Sequence, residues 1–385
     1  MSKNDFTAFT NDILDFINSA TKKQIKLSVG EIEGLLIDTL KSVAPFSKVA
    51  FIATSNSYVK WAQKVFTLIR KANGVPLGMT IEDKGIYLIE RVSDLFALPE
   101  DVRAVVSVDC RISGIISYFA GLRGIPHVSM VLSRDIEGLL NCSSFIKSGD
   151  KLNRVICDVN RIIIIDNNVI DSSSCIEDRA SLVLKNLTAL YDYRLKTVLD
   201  GAVTNKGGYA LIKSGITDYV ASCMRNDHQN CLVAQIKMQI GNLLSDGEIY
   251  DNSAFEQYSL LYKVIGCGGT NKDSNVGEHI YSLYKNVQSV IINGRQTSDL
   301  SDIEQASNLL GIDRSVLLRA RITHYKWYET RYSKILSLAR NIENEIKLNK
   351  EIFSALKIDK MVEANKELID SAVKYFPYGY NVLKI

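Results

Sequence analysis

The sequence has little proline, histidine or tryptophan: five, four and two of 385 residues. Four of the prolines (Pro45, Pro76, Pro99, Pro126) fall in the first third, and none follows until Pro377. Proline lacks a backbone N–H and breaks helix interiors, so the long proline-free stretch permits a largely helical second half. There is no run of ~18 apolar residues, which excludes a transmembrane helix. The start, Met1 to Phe6, is polar and lacks the apolar core of a secretory signal. Seven cysteines (Cys110, Cys142, Cys157, Cys175, Cys223, Cys231, Cys267) include no C-x-x-C pair, which excludes a zinc knuckle or a thioredoxin-type motif. Their odd number argues against a secreted disulfide framework. A soluble, reduced, cytoplasmic protein with no membrane contact is expected. Charge is nearly balanced, 46 basic against 43 acidic residues for a net +3. Charge alone therefore implies no polyanion, and no nucleic-acid partner is expected. Phosphate-binding signatures are missing too: no G-x-G-x-x-G follows the first strands, and no G-x-x-x-x-G-K-[ST] occurs anywhere.

What remains is ordinary globular material, 46% hydrophobic and 23% charged. At ~100–200 residues per domain the length suits two domains. In the first half, strand-like and helix-like segments alternate. Lys48–Thr54, Arg103–Asp109, His127–Leu132 and Arg161–Asp166 are short apolar runs bounded by turn residues, the pattern of buried parallel strands. Tyr58–Lys71 and Ile112–Leu122 carry helical spacing between them, and Gly124-Ile125-Pro126 ends the second helix. This alternation predicts βαβ units around a parallel sheet. Beyond Asp171 the pattern becomes helical, with Leu184, Leu187, Tyr191, Leu195 and Val198, then Ile335, Leu338, Ile342 and Ile346, at steps of three and four. An α/β Rossmann-like domain over 1–175 and an all-α domain over 176–385 are expected, with a ligand cleft between them.

Three segments stand out chemically. The strand ending at Ser107-Val108-Asp109-Cys110-Arg111 is the best placed for a nucleotide turn, yet its only glycine is Gly114, inside the next helix. The simpler reading is an ordinary strand–helix connection, and Asp109 would repel a pyrophosphate there. Glu278-His279 follows the glycine-rich Gly266–Gly269 segment and opens a helical pattern. It is either a cleft-facing ligand or a structural histidine. Asp218, in Gly215-Ile216-Thr217-Asp218, sits where a helix is predicted to begin, so it is either a ligand or a helix cap.

Taken in order, these segments resemble the superfamily of dehydroquinate synthases, iron-containing alcohol dehydrogenases, glycerol dehydrogenases and sn-glycerol-1-phosphate dehydrogenases. Arg123-Gly124-Ile125-Pro126 resembles the "RGIP-strand" segment, and Ile162–Asp166 the strand written "VLIDP". Gly215–Asp218 resembles "GxGD", and Ser274–Leu283 resembles "SGxEHxxSH", most like the glycerol-1-phosphate branch. Thr330–Leu336 resembles that branch's "RYTIL". The resemblance implies a dehydroquinate synthase-like fold and hydride transfer between NAD or NADP and a small polyol or polyol phosphate. It also implies a divalent metal (zinc, iron or nickel), homo-oligomers such as a homodimer, and a small-molecule substrate.

Site residues follow from it position by position. Asp218, His279 and Asn293 fall on the metal ligands. Asp109, Cys110, Arg111, Gly114, Leu132 and Glu137 fall on cofactor contacts, and Glu278 on the substrate side. The chain departs from the pattern at several of these. Val108–Cys110 replaces the glycines of "GGGxxxD", Val131-Leu132 replaces "PT", and Glu137-Gly138 replaces "DG". Asn293 stands where the third metal-binding histidine is expected, and Leu283 where the second His of "EHxxSH" is expected. Asn is neutral and binds divalent iron or zinc poorly, whereas a catalytic metal normally takes three good protein ligands. No firm catalytic residue emerges. Two functions stay open: a dehydrogenase with altered chemistry, or a pseudoenzyme that uses the scaffold to bind a protein or small ligand.

Overall fold

In the computed structural model the described residues are 24–82, 86–133, most of 136–171, 205–245 and isolated positions elsewhere. They divide between two compact units. The first comprises Met1–Gly149, Asn153–Ile176 and Thr217–Gly247, and the second Asp150–Leu152, Glu177–Ile216 and Glu248–Ile385.

The first unit is built on a sheet of six strands: β1 (Gln24–Gly30), β2 (Lys48–Ala53), β3 (Val75–Thr80), β5 (Val102–Ser107), β6 (His127–Val131) and β9 (Asn160–Asp166). Their order is β1-β9-β6-β5-β2-β3, and every neighbouring pair runs parallel. Parallel sheets are covered on both faces, and that explains the unbroken apolar runs of β2 and β9. Helices α1 (Ile32–Val43) and α2 (Ser55–Lys71) cover one face. Ile32, Leu36 and Leu40 lie four apart on α1, and they pack with Val65, Leu68 and Ile69 of α2 against Phe51, Val106, Val128 and Ile164. Helices α3 (Ile89–Phe96) and α4 (Ser113–Arg123) cover the other, where Ile112, Ile115, Ile116, Phe119 and Ala120 meet Ala50, Ile52 and Val105. A smaller sheet holds β4 (Ile86–Leu88), β7 (Ser143–Ser148) and β8 (Lys151–Ile156) in the order β4-β7-β8.

The four expected strands and two expected helices of the first half all form, within a few residues of their expected ends. Helix α4 stops at Gly124, which takes the left-handed conformation (φ 63°) that glycine adopts without steric cost. Pro126 then leads into β6. Five features of this unit's first half escape the sequence reading: β1, α1, β3, α3 and the small sheet. β1 and β3 are the sheet edges, so neither reads as a continuous apolar run. In β1 Ile25 and Leu27 are buried, separated by the exposed Lys26.

Further along lie α5 (Asn167–Asp171), α6 (Lys206–Met224) and α7 (His228–Leu244). Helix α7 opens on Asp227, whose carboxylate accepts from the Asn230 N–H at 3.1 Å. That bond is the main reason the Asp227 carboxyl is held below its ordinary range. Leu187 is buried, as its helical pattern predicts. Leu184, Tyr191, Leu195, Val198 and the Ile335–Ile346 pattern lie outside the described residues. No described helix is long and apolar enough to cross a membrane.

Candidate functional site

The topology points to one place. From β2 the chain crosses through α2 to β3 on one side, whereas from β5 it crosses through α4 to β6 on the other, and α2 and α4 cover opposite faces. The carboxyl ends of β2 and β5 therefore flank a topological switch point, the position where doubly wound sheets take their ligands.

Asp109 sits at this point. Its Oδ2 accepts from the Thr54 N–H at 2.7 Å, and its Oδ1 accepts from the Ser57 hydroxyl. Thr54 precedes α2 and makes no side-chain cap of its own. Asp109, reaching over from β5, caps α2 in its place, and the negative charge suits the positive end of that helix. The carboxylate expected to face a pyrophosphate is thus bound to the neighbouring helix.

The turn after β5 continues through Cys110–Ile112, a single tight helical turn in which Cys110 and Ile112 are buried and Arg111 is exposed. Helix α4 then opens with Ser113 and Gly114. Ser113 is completely buried, and among the described residues its hydroxyl has no hydrogen-bond partner. Gly114 passes so close to the Ser143 carbonyl and the Ser144 hydroxyl of β7 that a Cβ would not fit. Against the same turn packs Gly138, at φ 77°, where a Cβ would come within 2.9 Å of the Cys110 carbonyl. Gln239 of α7 holds that second turn from behind: its Nε2 donates to the Ile136 carbonyl at 2.7 Å, and its Oε1 accepts from the Leu140 N–H at 2.9 Å. Leu132, just past β6, is half-buried and packs on the α1–α2 core. Glu137 lies outside the described residues.

A dinucleotide phosphate fits this turn at one atom and is resisted at another. The orphaned Ser113 hydroxyl, in the first turn of an 11-residue helix, is a donor suited to an anionic oxygen. The space beside Gly114 is filled by β7.

Of the expected metal set, Asp218 alone falls among the described residues. Asp218 lies inside α6, well past its start at Lys206, and is neither a cap nor a first-turn acid. The helix begins earlier than predicted because it runs on through Gly207, Gly208 and Gly215. Its Oδ2 pairs with the Lys237 ammonium of α7 at 2.8 Å, with the two side chains 54% and 20% exposed. A divalent cation at Asp218 would have to displace that ammonium. His279, Asn293 and Glu278 lie outside the described residues. Among the described residues, no group of three His, Cys, Asp or Glu side chains could hold a metal ion.

Sequence reasoning missed a buried polar cluster under α4. His127, fully buried at the start of β6, lies 2.8 Å from the Ser107 hydroxyl through Nε2 and 2.9 Å from the Ser117 hydroxyl through Nδ1. Ser129 adds a contact at 3.3 Å. Burial, with a smaller push from the Arg161 guanidinium, holds the imidazole well below its ordinary pKa, so the ring is neutral. Arg161 is buried as well and donates to the Asn141 carbonyl at 3.0 Å. A usable signal was present: Ser107, His127, Ser129 and Arg161 all fall on the same side of their strands, facing α4.

No protein-family model and no curated protein matches the chain. Solved structures do. A glycerol dehydrogenase from Schizosaccharomyces pombe is 15% identical, with 84% of this chain and 92% of that one covered at a TM-score of 0.47. An iron-containing alcohol dehydrogenase from Thermococcus thioreducens is 11% identical, with 91% and 99% covered at a TM-score of 0.49. An iron-containing alcohol dehydrogenase from Corynebacterium glutamicum is 14% identical, with 76% and 77% covered at a TM-score of 0.45. All three of these solved structures are described as dehydrogenases.

Proposed function

We propose that the chain is an NAD- or NADP-dependent oxidoreductase acting on a small polyol or polyol phosphate, working in the cytoplasm as a homo-oligomer. The observation that carries this reading is Ser113. Its buried, unpartnered hydroxyl opens α4 at the switch point of a doubly wound sheet. A phosphate oxygen there would gain that donor and the positive end of the helix. Arg111, exposed on the same turn, is the nearest cation along the chain for a second, charge-assisted contact. When bound, the nicotinamide supplies the hydride acceptor or donor. The chain's own part at this turn is positioning: Asp109 anchors α2, and Gly138, on a turn held by Gln239, packs against the loop on which Ser113 and Arg111 sit. In the proposed metal set of Asp218, His279 and Asn293, Asp218 must first give up Lys237. Glu137 and Glu278 are proposed to line the nicotinamide and substrate.

A second reading, a scaffold that binds without catalysing, is favoured by the ammonium of Lys237 at Asp218. One experiment separates the two: metal analysis of the purified protein, together with titration of NADH and NADPH followed by quenching of Trp61 and Trp327. Saturable quenching that weakens in Ser113→Ala supports the oxidoreductase. No quenching and no energy transfer at millimolar NADH sinks it, and stoichiometric zinc, iron or nickel sinks the second reading.

A further inference from the structure

Cysteines scattered in the sequence meet at one corner of the fold. Cys223, near the end of α6, and Cys231, in the first turns of α7, bring their sulfurs to 3.6 Å. Both side chains are buried. Between them the chain reverses through Met224–Asp227, with Asn226 in the left-handed conformation (φ 53°). A disulfide needs sulfurs ~2.05 Å apart, so closure asks for a shift of the size that side-chain rotation supplies. The two helices are already joined by a short turn and tied by the Asp218–Lys237 pair.

We propose that Cys223 and Cys231 form a reversible thiol–disulfide pair, closed by a peroxide and reopened by a dithiol. In closure, one thiolate attacks a peroxide oxygen. An S–O bond forms, the O–O bond breaks, and hydroxide leaves to be protonated to water. The second thiolate attacks the sulfenic sulfur; the S–S bond forms, and the S–O oxygen leaves as a second water. The two thiols lose two electrons and two protons in all, and the peroxide is reduced to two waters. A dithiol reverses the reaction by exchange and is itself oxidised to its disulfide. The way in is the turn: Met224, beside Cys223, is 73% exposed, and fraying of the last turn of α6 uncovers Cys223 first. The consequence reaches the switch point, because α7 also carries Gln239, which braces the loop against Cys110 and Arg111. This inference stands on the α6–α7 corner and holds whichever reading of the function is correct.

The test uses the full chain, reduced, then exposed to hydrogen peroxide, alkylated under denaturing conditions and digested with trypsin. Cleavage after Lys213, Arg225 and Lys237 leaves the two cysteines on separate peptides, 214–225 and 226–237. The expected product is these two peptides joined, two hydrogens lighter than the reduced pair, with two fewer alkylated cysteines and full recovery after dithiothreitol. In parallel, the oxidised chain should melt at a higher temperature than the reduced one, and Cys223→Ser should abolish the difference. Recovery of both peptides fully alkylated, their oxidation to separate sulfinic acids, or linkage to other cysteines would overturn the proposal. An unchanged melting temperature in a chain shown to be linked would overturn the stapling role.

Discussion

Both faces of the main sheet carry an apolar core, but only one also buries a polar cluster. On the α1–α2 face, Val49, Phe51, Ala104, Val106, Val128, Met130, Ile162 and Ile164 form an apolar layer. On the α4 face of β5, β6 and β9, buried Ser107, His127, Ser129 and Arg161 alternate with buried Val105, Val131, Ile163 and Ile165. The register sets Val105, His127 and Arg161 in one row, and Ser107 and Ser129 in the next. The apolar face is held by area and packing, which tolerate exchange of one hydrocarbon for another. The α4 face, the more polar of the two, adds to its apolar contacts a hydrogen-bond network around His127 that is favourable only when complete. It also lies on the side of α4, the helix whose first turn holds the candidate site. The strands that position the switch point therefore depend on both kinds of cohesion.

Substitutions on the two faces should behave differently. The largest effect is expected from Phe51→Ala on the apolar face, where a fully buried ring stacked 5.6 Å from Tyr58 is lost. Unfolding in urea should show a loss of about 3–5 kcal/mol, much the same at pH 5.5 and 8. The polar face should show its character in pH dependence. The folded-state pKa of His127 lies below its unfolded value, so the unfolded chain binds the extra proton. Stability is then full above pH ~6.5 and falls as pH drops below it, by at most about 1.4 kcal/mol per pH unit from this group. His127→Leu should flatten that slope while costing stability at pH 8, because Ser107 and Ser117 lose their partner. An unchanged slope would mean that the imidazole is not the group responsible.

Where the strands end, Asp109→Ala should cost about 1 kcal/mol through loss of the α2 cap, measured by the same urea titration. Under the proposed function it should change NADH affinity less than Ser113→Ala does. The smallest effect is expected from Lys237→Gln. Its pair with Asp218 is partly exposed, and such pairs contribute within about 0–1 kcal/mol, screened by salt. Added zinc or nickel should bind the Lys237→Gln chain more tightly than the parent if the ammonium is what holds a cation away. Equal affinity in isothermal titration would separate Lys237 from metal exclusion.

Much of this architecture was readable in the residues. The apolar runs of β2, β5, β6 and β9 announce buried strands because a strand covered on both faces has no solvent side to mark it. Gly124 and Pro126 announce the end of α4 through their backbone chemistry. β1 and β3 were not legible, since edge strands keep polar residues and lose the unbroken run. Asp218 looked like a helix start because Gly207, Gly208 and Gly215 resemble breaks, yet packing carries the helix through them. At the candidate site, the sequence pointed to the turn at Asp109–Gly114 but not to its use.

From the sequence alone came the class of fold and the place of the turn, because hydrophobic period and the backbone limits of glycine and proline act locally. Only the tertiary structure decided the partners. Asp109 caps a helix that begins 54 residues before it; His127 gathers serines from three elements; Cys223 meets Cys231 across a reversal; Asp218 pairs with Lys237 of the next helix. Each of these depends on strand order and on which helix face turns inward, and neither is written in any single segment of the chain.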